Sequence, residues 1–285
     1  MRKNQAPSSA LIVGVVRNVE SSIRIDVERL RSAFSNFIKI EFFVVESNSH
    51  DNSIEVLGEL AREQSDFSFK TIADPENTHR TVSLANARNE YLNFLMQIPD
   101  RNKPDYVVVA DFNNLNKLLT RESVATCWEN DEWDVCTANQ AGNYYDIWAL
   151  RHEFWSPNDC WSHFNFLADL GIRKDRAYSI AINSRMIRLR PDHKWVEVDS
   201  AFGGLAIYKT VSLLGAVYTG QLDSGDAVCE HVPLHNQIRN NGFKIFINPG
   251  LINFLYTDHS KNTFIRKRFL RFCKHLVISM LRKKP

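Results

Sequence analysis

No run of the sequence approaches the roughly 18 consecutive apolar residues needed to cross a bilayer, which excludes a polytopic membrane protein. Cysteine is scarce. There are five, none spaced Cys-x-x-Cys, and the odd count argues against a disulfide framework or structural zinc and for a reducing compartment. Gly-x-Gly-x-x-Gly and Gly-x-x-x-x-Gly-Lys-Ser/Thr are both missing, so neither a dinucleotide fold nor that type of phosphate loop is supported. Internal repeats and low-complexity linkers are absent too. What is present is ordinary globular composition: 285 residues, 44% hydrophobic and 24% charged, enough for a sizeable core in one large domain or two small ones. The formal net charge is only +2, but it is a sum of unlike parts. Residues 261–285 carry nine Lys/Arg and no acid, leaving 26 basic against 33 acidic groups, a net of −7, in the 260 residues before them.

Met1-Arg2-Lys3 followed by Ala10–Val16 has the outline of a signal peptide. Its apolar run is only seven residues, however, and Arg17-Asn18 stands where small cleavage-site residues belong. The expectation is a first strand at Leu11–Val16, buried on both faces. Ile23, Val27, Leu30 and Phe34 then recur at helical spacing, and a second strand reads from Ile38 to Val45. It ends in a polar cluster from Glu46 to Ser53 that suits a turn and a helix start, with the next helix beginning at Ile54. A third strand is expected at Phe67–Ile72, a helix at Val82–Met96, a fourth strand at Tyr106–Ala110 and a last strand at Lys244–Ile247. Strands alternating with helices, each strand followed by polar residues, predict an α/β sheet whose site lies at the C-terminal ends of the strands. The second half is less regular and rich in aromatics.

Five segments could carry chemistry. Tyr106–Ala110 delivers Asp111 at a strand end with Asn113 two residues on, a pair of oxygen donors suited to a hard divalent cation, or simply turn residues. Gly203-Gly204 precedes the apolar Leu205–Tyr208 and allows either close approach to a ligand or a tight turn. Glu230-His231 could bring a carboxylate and an imidazole to the mouth of a site, where they could handle a hydroxyl proton; a solvated helix start is the plainer alternative. Tyr144-Tyr145-Asp146-Ile147-Trp148-Ala149-Leu150-Arg151 mixes Asp and Arg into an aromatic cluster, a composition that suits sugar faces and hydroxyls as well as a core. His259 follows the last strand and could add an imidazole to a metal shell.

In this order the elements resemble the nucleotide-sugar glycosyltransferases of the GT-A fold. Val13-Gly14-Val15-Val16-Arg17-Asn18, Val45-Glu46-Ser47-Asn48, Ala87-Arg88-Asn89 and the Asp111 strand end carry the likeness, over roughly residues 10–260. More narrowly, Tyr145-Asp146-x-Trp148-x-x-Arg151 with Glu46-Ser47 is similar to the capsule-associated α-1,3-mannosyltransferase family of fungi. The resemblance implies a Rossmann-like, mixed but mostly parallel sheet flanked by helices over residues 1–260. It implies transfer of a hexosyl group, mannosyl and retaining in the narrower family, from a GDP- or UDP-linked donor to a glycan or lipid-linked acceptor with Mn²⁺ or Mg²⁺. Carried over by position, Arg17, Asn18, Glu46, Asn48, Arg88 and Asp111 would bind the donor, with Glu46 and Asn48 on the nucleoside and Arg88 neutralising the diphosphate or holding the Asp111 loop. Asp111, Asn113 and His259 would hold the metal, Asn113 standing in place of a second Asp. Tyr145, Trp148, Arg151, Gly203, Gly204 and His231 would lie on the acceptor side, and Glu230 and Asp146 would be the catalytic carboxylates. The neutral Asn113 also favours a second reading, a non-catalytic nucleotide- or sugar-binding protein on the same scaffold.

Residues 261–285 form a separate unit. Ile265, Phe269, Phe272, Leu276 and Met280 recur at helical spacing among basic residues, a basic amphipathic helix suited to an anionic membrane surface. The expected location is cytoplasmic, peripheral at the inner face of the membrane. No nucleic-acid-binding module is recognised.

Overall fold

A computed structural model describes residues 9–73, 75 and 78–255. The basic helix expected over 261–285 and His259 lie outside the described residues. The α/β expectation is met by one mixed, mostly parallel eight-stranded sheet. Strand β1 (Ser9–Val16) pairs in parallel with β2 (Lys39–Ser47) on one side and β4 (Tyr106–Ala110) on the other, and β3 (Phe67–Ile72) extends the sheet beyond β2. Beyond β4 follow β7 (Leu205–Lys209), antiparallel to both neighbours, then β5 (Val135–Gln140), β8 (Ile245–Phe254) and the short β6 (Val196–Val198).

The unbroken apolar run of β1 has a direct cause. Leu11 and Val13 enter one core layer with Tyr91 and Leu95, while Ile12 and Val16 enter the other with Val27 and Leu30. Helices α1 (Ile23–Ala33) and α2 (Ser53–Glu63) supply the second layer, and α3 (Arg80–Gln97) supplies the first. Both faces of β1 are thus covered, as a central parallel strand requires. The chain leaves β1 towards β2 and β3, then returns to add β4 on β1's other side. That reversal places a crevice at the C-terminal ends of β1 and β4. Gly14 permits it to close: a Cβ there would stand 2.4 Å from both the Ala110 carbonyl oxygen and the Phe112 ring.

β3 and β4 occupy the residues expected of them. β1 and α3 start two residues earlier than expected, and three further differences bear on the site. β2 runs on to Ser47, so Glu46 sits on a buried strand and not in the turn. β8 extends ten residues through Pro249-Gly250, its register against β5 shifting beyond Thr137. β5 has no clear sequence signal because Thr137, Asn139 and Gln140 break its apolar pattern, yet all six of its residues are buried. Asn139 Nδ2 meets part of that cost by donating to the Leu189 and Pro249 carbonyls, both at 3.0 Å, while its Oδ1 has no partner among the described residues. A short helix, α4 (Arg121–Ala125), precedes β5. Between β5 and β6 the chain makes an aromatic-rich excursion with α5 (Cys160–Asp169) and α6 (Lys174–Ala181). The single turn α7 (Thr210–Leu213) follows β7, and α8 (His231–Asn240) leads into β8.

Candidate active site

The site is assembled from chain segments far apart in sequence that meet at the strand ends. Arg88 projects from α3 and is only 5% exposed; its Nε donates to Glu230 Oε1 at 2.9 Å, just before α8. The same guanidinium donates from Nη2 to Asp111 Oδ1 at 3.4 Å, after β4. Its planar face lies 5.2 Å from the centre of the Phe202 ring and 5.8 Å from that of Tyr218. Burial opposes the Arg88 charge, but Tyr91, Glu230, Tyr218 and Asp111 outweigh it and hold the guanidinium protonated.

Asp111 keeps 32% of its side chain exposed, so it faces the crevice. Its backbone is held on two sides: its N–H donates to Gly204 O at 2.9 Å, and its carbonyl accepts from Asn116 Nδ2 at 2.7 Å. Burial raises the Asp111 carboxyl pKa, Arg88 draws it back and Glu230 pushes it up again. Asp146 reaches the same place from the aromatic segment and accepts the Gly203 N–H at 3.0 Å. Burial, with repulsion from Asp111 and Glu230 only partly offset by that bond, pushes Asp146 up to about 6. Gly203 and Gly204 have φ of +69° and +83°, and a Cβ on Gly203 would meet the Ala138 oxygen at 2.6 Å. Three carboxylates therefore share the neighbourhood of one guanidinium. At neutral pH this leaves an excess of negative charge, a surplus suited to a divalent cation.

Other expected residues fall into different roles. Glu230 is buried and spent on Arg88, so Arg88 in turn holds the Asp111 loop and does not reach outward. His231 is 2% exposed and stacks on Phe202 at 3.9 Å; burial, then Arg88 and His235, keep its imidazole neutral. The acceptor-side position expected for it is thus closed by Phe202. Trp148 Nε1 and Arg151 Nη2 both donate to Asp159 Oδ2, at 3.1 and 2.7 Å. Asp159 Oδ1 meanwhile caps α5 through the Trp161 and Ser162 N–H groups. Two side chains of the most specific motif therefore brace a helix start, while Tyr145 and Asp146 remain at the glycine loop. Tyr145 lies 5.1 Å from Phe254, and its hydroxyl would stand 3.4 Å from a Cβ on Gly204.

At the neighbouring strand ends, Asn18 and Asn48 adopt φ of 53° and 52°, a left-handed conformation that Asn tolerates. Asn18 Oδ1 accepts from the His50 N–H at 2.8 Å, and Arg17 Nη2 lies 3.3 Å from His50 Nε2, which ties the β1 and β2 loops together. Glu46 is fully buried; Oε1 accepts the Ser49 N–H at 2.7 Å and Oε2 has no partner among the described residues. Asn113, with Asn114 and Asn116, is also left-handed, so its identity answers to the turn as well as to any ligand.

A buried amide network escapes sequence reading. Asn253 Nδ2 donates to Gly203 O at 2.8 Å and to Asn116 Oδ1 at 3.1 Å, and Gln140 Nε2 donates to Gly203 O at 3.1 Å. It locks the Asp111 loop to the glycine loop. No local pattern marks these amides: Gln140 and Asn253 lie on β5 and β8, and Asn116 lies in the loop after β4. A cavity of about 580 Å³ lined in part by Ser9, Lys39, Asp66 and Arg101 lies at the opposite end of the sheet, away from this chemistry.

No protein-family model and no curated protein matches the chain. Among solved structures it aligns with the mannosyltransferase PcManGT from Pyrobaculum calidifontis in complex with GDP-Man and Mn²⁺, at 14% identity and TM-score 0.46, over 99% of this chain and 66% of that one. It also aligns with TarS of S. aureus: residues 1–349 at 13% identity, TM-score 0.46, 90% of this chain and 62% of that chain. A second TarS structure gives 13% identity and TM-score 0.49, over 90% of this chain and 38% of that chain. The chain thus spans no more than 66% of the length of these chains.

The raised Asp146 carboxyl has a measurable consequence. Between about pH 4, where an unfolded Asp ionises, and about pH 6 the folded chain holds a proton that the unfolded chain has lost. That stabilisation is full below pH 4 and lost as pH rises through 6, a change on the order of 3 kcal/mol at most. Subtracting the urea stability of Asp146→Asn from that of the unmodified chain between pH 4 and 7.5 should isolate this downward step. A flat difference would show that Asp146 is not raised.

Proposed function

We propose that the chain is a nucleotide-sugar glycosyltransferase that moves a hexosyl group, mannosyl by its motif resemblance, to a hydroxyl of a glycan or lipid-linked acceptor. The observation that carries this reading is the cluster of Asp111, Asp146 and Glu230 near one guanidinium at the switch-point crevice, with the Asp111 carboxylate exposed to it. Such a site repels a bare diphosphate but accepts one that arrives with a divalent cation. The donor set fits that cation in charge and in oxygen chemistry. Among the described residues there is no group of three His, Cys, Asp or Glu that could cage a metal, so Asp111 and Asn113 would hold it with diphosphate oxygens completing the shell. When bound, the ion offsets charge that builds on the leaving diphosphate.

The chain's own residues do the rest. The donor's anomeric C–O bond breaks with its electron pair leaving on the diphosphate, the acceptor oxygen bonds to that carbon, and the acceptor proton passes to the departing phosphate. Asp146 orients the acceptor hydroxyl beside Gly203-Gly204, while Glu230 acts only through Arg88. The neutral and exposed Asn113 favours a second reading, a binder without transfer. The two separate on slow release of nucleoside diphosphate from the donor without acceptor, which only a transferase shows. The basic segment 261–285 is proposed to hold the chain at an anionic cytoplasmic membrane surface; among the described residues no helix is long and apolar enough to cross one.

A melting panel of UDP-, GDP-, CMP- and dTDP-sugars, with and without Mn²⁺, tests the donor site. A GDP- or UDP-sugar at 100 times its Kd should raise Tm by about 5 °C or more, and only with Mn²⁺. No shift with any donor would remove the proposal.

A further inference from the structure

A cationic side chain would add to the divalent cation in holding the donor diphosphate, and the geometry denies that role to Arg88, which is buried against Glu230. Resting on the donor-site reading above, we propose that Arg80 is the side chain that binds the diphosphate. Arg80 is the first residue of α3, is exposed, and its side chain has no ion pair or hydrogen bond among the described residues. Arg80, Leu84 and Arg88 stand at i, i+4 and i+8, along one stripe of the helix. At about 1.5 Å rise per residue, Arg80 lies roughly 12 Å nearer the helix N-terminus than Arg88. Arg88 on that stripe reaches Asp111 and Glu230. Arg80 therefore overhangs the same carboxylates from the open end, and its charge is felt at Asp111. That end of α3 follows the C-terminal end of β3, on the side of the sheet where the crevice opens.

The helix itself adds to the case. α3 is 18 residues long and has no acidic residue in its first turn, so its N-terminal dipole and the Arg80 charge act together on an anion. Without an anionic partner, a cation at that position works against the dipole. The remaining strand-end arginine, Arg17, is engaged with His50 across the β1 and β2 loops. Lys117, exposed on the loop after Asn116, provides a matched control of equal charge.

The test compares Arg80→Met, Arg80→Lys and Lys117→Met with the unmodified chain in calorimetric titrations with Mn²⁺, using GDP and UDP against guanosine and uridine. Arg80→Met should weaken the favoured nucleoside diphosphate by about tenfold or more and leave its nucleoside unchanged. Arg80→Lys should recover part of the loss, Lys117→Met should have little effect, and none should lower Tm. Diphosphate binding within twofold of normal in Arg80→Met, an equal loss for the nucleoside, or an equal loss in Lys117→Met would overturn the assignment. Failure of the unmodified chain to bind either diphosphate would overturn the donor-site reading as well, so the two failures are distinct.

Discussion

Replacing Arg88 by Met should lower stability by about 3–5 kcal/mol, and replacing Glu230 by Leu in the same chain should restore most of it. The reason is asymmetry. Arg88 and Glu230 are 5% and 6% exposed, so removing one leaves the other charged in a medium that cannot solvate it. Arg88→Met also removes the donor to Tyr91 and the cation that faces Phe202 and Tyr218. The double variant buries two apolar side chains, and the one carboxylate it leaves without Arg88, Asp111, is part-exposed to solvent. Urea unfolding of the four proteins closes the cycle. If the two single losses simply add in the double variant, the pair is not coupled and Glu230 needs another explanation. Activity should not return with stability, because the double variant no longer holds the Asp111 loop through Arg88.

The second large effect separates function from folding. Asp111→Asn should reduce transfer by about 100-fold or more and abolish the Mn²⁺-dependent melting shift, yet leave the fold at least as stable. Burial and Glu230 both disfavour the Asp111 carboxylate, and its contact with Arg88 is long at 3.4 Å. Removing that charge therefore relieves repulsion at little cost. The backbone bonds to Gly204 and Asn116 do not use the carboxyl and remain. Melting temperature with and without donor, beside steady-state transfer, reads both halves. A variant that transfers normally would show that Asp111 is a turn residue alone.

Much of this arrangement is legible in the residues because it is local. The alternating strands and helices of the first half follow from apolar spacing over a few residues, and the polar clusters after β1, β2 and β4 mark where the crevice opens. Asp111 and the two glycines are legible as residue types placed at strand ends and turns, and Asp146 as an acid set in an aromatic cluster. Trp148 and Arg151 are legible as a motif but not in role, since their shared partner Asp159 is an ordinary helix cap by sequence. β5 is hidden because its polar side chains donate to carbonyls from segments far along the chain.

What the residues by themselves determined is the class of fold, the end of the sheet where the candidate site lies, and the split of charge between an acidic body and a basic C-terminal segment. What only the tertiary structure decided is which charges are available. Arg88 and Glu230 are 142 positions apart, and their meeting takes both out of solvent. Asp111 is left facing the crevice, and Arg80 is left exposed with no ion pair among the described residues. Periodicity is set by neighbours a few residues away, whereas the strength of a charge is set by burial and by partners that folding alone brings together.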